Sequence, residues 1–280
     1  MDLRRLKTIF IFVLVAINIM FFALINNALN YEKEERRTMT ESLTALLAKN
    51  MVYLPQKLEL PDSPEISGFY IEKMFGSNEE LVSRFLGRSY EETEQYVYTA
   101  SAGTLYIEGD EFRFHNANPQ TPVSDFSEEN IQKVCHSEMK RLGIPDAPYI
   151  FGGVNFVDEG IRAIFTMQHR DDVFFDAYVS FDISEKGVTA VSGRNLVSEL
   201  TETNSNEKFY SIISVLPDLV RNDRLEKNVA HTVVSIKSGY YIGSTAESYR
   251  NILAIPVWQI ATDSGHILYY DARNGQFIDE

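Results

Sequence analysis

The chain has 280 residues, 44% hydrophobic and 24% charged, with a formal net charge of −14; that is a globular composition, not a disordered one. Arg4, Arg5 and Lys7 against Asp2 leave +2 on the first thirty residues and therefore −16 on the rest. So acidic a body repels nucleic-acid phosphates and anionic headgroups, and its one cysteine, Cys135, allows neither an internal disulfide nor a cysteine-rich zinc site.

In chain order the first feature is residues 8–29, TIFIFVLVAINIMFFALINNAL, which carry no charge. At 1.5 Å per residue they reach about 33 Å, enough to cross a hydrocarbon layer of about 30 Å. A cleaved signal would be shorter and end in small residues, whereas Ile25 and Asn26 stand where a peptidase needs small side chains. The segment is expected to remain as an anchor. Basic Arg4, Arg5 and Lys7 before it put residues 1–7 in the cytoplasm and residues 30–280 outside. Asn18 lies near the middle of the span, and a mid-membrane amide seeks a partner on another helix. Helical steps from it define a candidate contact face of Ile11, Leu14, Asn18, Phe22 and Ile25.

Residues 30–65 read as stalk and connector. Tyr31–Met51 places Leu43, Leu46, Leu47 and Met51 at helical spacing, and Pro55, Pro61 and Pro64 end the helix. An N-terminal lobe is expected over 66–122. It opens with a helix capped by Ser77, with Glu80 completing a capping box and Gly87 closing it. Strands over 95–100, 104–108 and 111–116 follow, turned at Gly103 and at Gly109-Asp110.

The polar, proline-bearing stretch 117–126 marks the lobe boundary, and 123–280 forms the C-terminal lobe. Ser127 should cap a helix whose stripe is Ile131, Val134, Cys135, Met139 and Leu142, with Lys140, Arg141 and Gly143 at its end. Cys135 is read as core packing. Period-two alternation over 161–168 and 173–183 predicts two antiparallel strands; in the second, Val173, Phe175, Ala177, Val179, Phe181 and Ile183 form one face. Asp158-Glu159-Gly160 precedes the first, and His169-Arg170-Asp171-Asp172 joins them as a solvated turn. A helix carrying Phe209, Ile212, Ile213 and Leu216 should stop at Pro217, before strands over 230–237, 255–262 and 266–272. The fold class is therefore α+β: one transmembrane helix and an outer domain of antiparallel sheets with helices, in two helix-plus-meander lobes.

No catalytic motif appears. His115, His136, His169, His231 and His266 fall at no zinc-binding spacing, and there is no nucleophile elbow, phosphate loop or dinucleotide fingerprint. The expectation is a non-enzyme without cofactor or metal. Trp258, Tyr269 and Tyr270 are the candidate lining of a binding groove.

Two stretches resemble a known family. Lys7-Thr8-Ile9-Phe10-Ile11 entering a single span is similar to the start of the YycI family. Ala254-Ile255-Pro256-Val257-Trp258-Gln259-Ile260, leading to Tyr269-Tyr270-Asp271-Ala272-Arg273-Asn274-Gly275, resembles its closing strand pair. The resemblance implies an accessory regulator of a WalK-like sensor histidine kinase that controls cell-wall metabolism in Gram-positive bacteria. It also implies a YycH-like partner, contacts carried by transmembrane helices, and a mixed α/β outer domain without catalytic residues. The ending equally resembles a PepSY-type hairpin, which implies the alternative of a free-standing extracytoplasmic binding or protease-inhibitor module.

Overall fold

The computed structural model describes residues 3–55, 58, 60–61, 68–146, 148–158, 160–195, 200–203, 209–222, 224–243 and 252–279. In chain order its elements begin with α1 (Leu3–Lys49), β1 (Val52–Tyr53), β2 (Gly68–Ile71), α2 (Asn78–Leu86), β3 (Glu91–Glu94), β4 (Val97–Ala100), β5 (Gly103–Glu108) and β6 (Glu111–Asn116). Then come α3 (Glu128–Leu142), β7 (Tyr149–Val157), β8 (Gly160–His169), β9 (Asp172–Ser184), β10 (Gly187–Arg194) and β11 (Leu200–Thr203). The chain continues through α4 (Ile212–Val215), α5 (Asp218–Arg221), β12 (His231–Tyr241), β13 (Ile252–Thr262), β14 (Ile267–Asp271) and β15 (Phe277–Ile278). The described residues thus form a mixed α+β fold with one long apolar helix and a large, mainly antiparallel sheet.

The chain divides into two compact units, of which the first comprises residues 1–60, 212–234 and 262–266. Its main element is α1, which runs without a break from the apolar segment into the stalk. Leu43 and Leu47 are buried near its end, in a core shared with Val52, Ile212, Val215, Leu216, Leu219 and Val233. The helix ends before Pro55 is reached. The Asn50 and Met51 N–H groups donate to the Leu47 and Ala48 carbonyls at 2.9 and 3.1 Å, and Met51 turns left-handed at φ 63°. Pro64 lies outside the described residues. The helix expected over 209–216 is instead the four-residue α4, followed by α5 with Pro217 as its N-cap. A proline at that position starts a new turn rather than merely closing the old one.

The second unit comprises residues 61–211, 235–261 and 267–280. Its strands follow the hydrogen-bonded order β11-β2-β13-β12-β9-β10-β6-β5-β4-β3, with β7 and β8 continuing from β9 and β15 from β14. β6 pairs with β10 from Glu111↔Arg194 to His115↔Ala190. The stretch 117–126, expected to separate two lobes, is therefore a connection within one sheet. Strand β3, Glu-Glu-Thr-Glu, is exposed at all four residues and offers no apolar alternation by which to predict it.

Helices α2 and α3 bury their stripes in the core of this unit. Phe85 of α2 meets Phe112 and Phe114 edge-on at 5.2 and 5.4 Å. Ile131, Cys135, Met139 and Leu142 of α3 are buried. Burial pushes the Cys135 thiol up to about 12, aided by Glu138, so it packs as a small hydrophobe.

The two predicted caps differ. Ser77 Oγ accepts the Glu80 N–H at 3.2 Å, while the Glu80 carboxylate accepts from Gly76 N at 3.1 Å, one residue before the position a capping box prescribes. Ser127 sits at the N-cap but makes no side-chain cap bond; its hydroxyl donates to Asp125 at 2.7 Å. Ser77→Ala is expected to cost about 1 kcal/mol and Ser127→Ala less than about half of that, as read by chemical denaturation. Equal losses would contradict the geometry.

A register shift interrupts β9 and decides which of its side chains face the core. Tyr178 pairs with Thr166 but Val173 with Gln168, so four residues of β9 face one residue of β8. The bulge reverses the inward side: Phe174 is buried, with Ala177, Val179, Phe181 and Ile183 beyond it, while Phe175 and Asp176 are only part-buried. The prediction placed Phe175 in the inward row. β12 reaches this bulge through a parallel bridge, Tyr240↔Phe174. Gly239 permits the approach, since a Cβ there would lie 2.5 Å from the Val173 carbonyl and 2.6 Å from the Phe175 ring.

Candidate functional site

Two features merit a functional reading: a cleft in the sheet unit and the face of α1. The cleft is built where the β9 bulge, the β5–β6 hairpin and the end of β10 converge. Gly109, at φ 62°, forms the tight reversal that carries Asp110, and Asn195 at the end of β10 donates its backbone N–H to the Asp110 carbonyl at 2.6 Å. The Asn195 side chain exchanges two hydrogen bonds with the backbone of Phe75, at 2.8 and 3.1 Å.

Arg194 occupies the centre, its side chain 6% exposed. Its Nη2 donates to Asp110 and to the Gly243 carbonyl, its Nη1 to Asp176, and its Nε to Asp110 at 3.2 Å. Asp176 also accepts the N–H groups of Ile242 at 2.9 Å and Gly243 at 2.9 Å. Burial raises the Asp176 carboxyl above its ordinary value, even against Arg194 and the two N–H donors. For Arg194, burial works against the charge, but Asp176 and Asp110 more than offset it and hold the guanidinium protonated. One guanidinium bridging two carboxyl groups locks the floor of the cleft.

The cleft encloses about 770 Å³. Phe175, Tyr178, Tyr241 and Tyr269 line it, with Glu108 and Glu111 at the hairpin tip. Tyr269 packs between Phe175 and Tyr241, its ring 5.8 and 5.0 Å from theirs. The Tyr178 hydroxyl is pushed up in pKa by burial and by Glu111. This arrangement can receive a ligand on an aromatic wall; among the described residues that line it, no nucleophile–base pair is assembled. Among the described residues no group of three or more His, Cys, Asp and Glu side chains is placed to hold a metal.

The groove residues expected from sequence do not gather. Trp258 and Tyr270 are cross-strand neighbours, both fully buried. Trp258 Nε1 donates to the Tyr210 carbonyl at 2.8 Å. Tyr269 faces the opposite side of β14 and alone of the three lines the cleft. Arg194, Asp110 and Asp176 escaped the sequence reading. Their only local signal is a polar residue within an apolar strand, Asp176, and an arginine closing another.

On α1, Leu14, Phe22 and Ile25 are exposed by 51%, 70% and 58%; the side chain of Ile11 lies outside the described residues. Asn18 donates its side-chain amide to the Leu14 carbonyl at 2.8 Å, so one of its hydrogen-bonding needs is met within its own helix. Among the described residues this is the one helix long and apolar enough to cross a membrane, with a mean hydropathy of 2.1 over its most apolar window and none of that window buried.

No protein-family model and no curated protein matches the sequence. Among solved structures, an uncharacterized protein from Eubacterium rectale is similar over 86% of this chain and 99% of its own, at 11% identity and a TM-score of 0.48. YycH from Bacillus subtilis is similar over 76% of this chain at 13% identity and a TM-score of 0.45; the similarity covers 52% of that chain, about half its length. The C-terminal domain of YpeB from Bacillus megaterium is similar over 72% of this chain and 93% of its own, at 10% identity and a TM-score of 0.36.

Proposed function

We propose that the chain is a non-enzymatic, membrane-anchored regulator of a WalK-like sensor histidine kinase, acting with a YycH-like partner through transmembrane-helix contacts. One observation carries the reading: a single uninterrupted helix joins an apolar, unburied stretch to Leu43 and Leu47, which are fixed in a folded core. Anything that displaces the folded end displaces the membrane end with it. The basic residues Arg4, Arg5 and Lys7 before the apolar stretch place the N-terminus in the cytoplasm and the acidic remainder outside. The YycI-like sequence at both ends supplies the kinase and its cell-wall role.

Such a regulator needs no chemistry of its own. It has to bias a two-state kinase by a difference of a few kcal/mol between helix arrangements. Replacing residues 8–29 with an unrelated apolar helix of equal length is expected to abolish regulation of kinase-dependent transcription while the chain stays membrane-bound and folded. Unchanged transcription would overturn the proposal. Full function from a secreted fragment of residues 31–280 would favour the free-standing PepSY-type module, for which the aromatic cleft is the feature in hand.

A further inference from the structure

We infer that the aromatic cleft of the sheet unit binds an organic cation, an alkylammonium or guanidinium group carried by a small molecule or by a basic side chain of a peptide. The inference goes beyond the regulatory reading and does not rest on the membrane anchor, since every residue lining the cleft belongs to the second compact unit. At about 770 Å³ the space is of the size that small ligands occupy. Phe175, Tyr178 and Tyr241 are part-buried along it, so part of each ring stays accessible to an occupant. The face of such a ring is electron-rich and attracts a cation.

The charged groups divide into a floor that is satisfied and a rim that is not. On the floor every N–H donor of Arg194 is engaged: Nε and Nη2 with Asp110, Nη2 also with the Gly243 carbonyl, and Nη1 with the Asp176 carboxyl and carbonyl groups. None is left for an anionic ligand. On the rim, Glu108 and Glu111 stand directly opposite each other across the β5–β6 hairpin. Like charges so placed weaken a strand pair, so the fold gains nothing from them. The Tyr106 hydroxyl donates to Glu108 at 2.9 Å and fixes the position of its carboxylate. Two further arginines lie close enough to act on Tyr178. Arg162 is held by both oxygens of Asp182, at 2.6 and 2.8 Å. Arg113 stands opposite Tyr106, farther along the hairpin, and can balance one of the two rim glutamates but not both.

An acidic rim beside aromatic faces selects among cations. A metal ion needs convergent ligands, and among the described residues no group of three or more His, Cys, Asp and Glu side chains is placed to hold one. An organic cation needs only what the cleft offers: ring faces for its weakly hydrated alkyl shell and a carboxylate pair for its charge. A neutral ligand of the same shape would keep the ring contacts and leave the glutamate pair uncompensated.

The test titrates the full chain in non-ionic detergent micelles, with protein-free micelles as the reference. The probes are choline against its uncharged carbon analogue dimethylbutanol, and a pentapeptide with central lysine against the same peptide with norleucine. At least one cation is expected to bind about tenfold more tightly than its neutral counterpart, the gain of a partly desolvated cation on aromatic faces. A preference seen with choline assigns a free amine, and one seen with the lysine peptide a basic segment. Glu108→Gln combined with Glu111→Gln should remove most of that gap, and Tyr241→Leu should weaken the cation more than the neutral probe. Both glutamates are exposed, so their substitution leaves the fold readable even where Tyr241→Leu destabilises it. Glu91→Gln, an exposed acid on β3 outside the cleft, should change neither affinity. Equal affinity for each cation and its neutral counterpart would overturn the assignment, as would displacement of the bound cation by calcium. No kinase enters this assay, so its failure and the failure of span replacement are separate results.

Discussion

Replacing Arg194 with alanine is expected to destabilise the sheet unit by about 3–5 kcal/mol, the cost of stranding buried charges whose counter-ion is gone. Two carboxylates depend on this guanidinium: Asp110 through Nε and Nη2, and Asp176 through Nη1. The Gly243 carbonyl loses its donor as well. Lysine would restore the charge but not the fork that reaches two carboxylates at once, so Arg194→Lys should recover only part of the loss.

The pH dependence gives the test its sign. Burial already raises the folded-state pKa of Asp176, and Arg194 is among the influences holding it down. Without the arginine the carboxyl rises further. A carboxyl whose folded pKa lies above its unfolded one costs stability above the folded pKa, and that cost is relieved as pH falls through it. The difference in melting temperature between wild type and Arg194→Ala should therefore be smaller at pH 5 than at pH 8, by scanning calorimetry. A deficit that grows on acidification would show that the cluster is not held by this charge.

The second large effect is expected at Trp258. Its side chain is fully buried, cross-strand from Tyr270, and its indole N–H meets the Tyr210 carbonyl at 2.8 Å. Trp258→Ala removes that volume and orphans a carbonyl, for a loss of about 3–5 kcal/mol. Against a typical total of about 5–15 kcal/mol, this brings the unit close to unfolding. Trp258→Phe keeps most of the apolar contact and forfeits the hydrogen bond, so it should cost appreciably less. Urea denaturation of the two variants separates packing from the polar anchor; equal losses would assign the whole effect to the hydrogen bond. Trp258, read from sequence as a groove residue, is on this account a tie between β13 and the segment leading into α4.

What sequence could reveal depended on the range of the interaction involved. The capped helix α2, the stripe of α3 and the strands β8 and β9 are written in periods of two or three to four residues, and they form where expected. The single long helix α1 is likewise legible from its uncharged run. The exposed acidic strand β3 has no such period and is held by pairing with β4.

The Arg194 cluster was hidden for another reason. Its partners lie 84, 18 and 49 positions away, and no local pattern encodes a meeting of that kind. The bulge that turns Phe175 and Asp176 toward the cleft is a register shift between strands, equally invisible in one strand alone. Tyr269 and Tyr270 are the instructive failure. Adjacent residues of a strand face opposite sides, so period two by itself forbids both from lining one groove.

Helix α1 contains neither glycine nor proline along its 47 residues, and those are the usual sites at which helices hinge. At 1.5 Å per residue it is a rod of about 70 Å. Such a rod conveys torque as readily as thrust: a roll of the cluster gripping Leu43 and Leu47 turns Asn18 through nearly the same angle. The direction in which that amide points is thereby set at the far end of the helix, about 37 Å away, with no intermediate joint to absorb the motion.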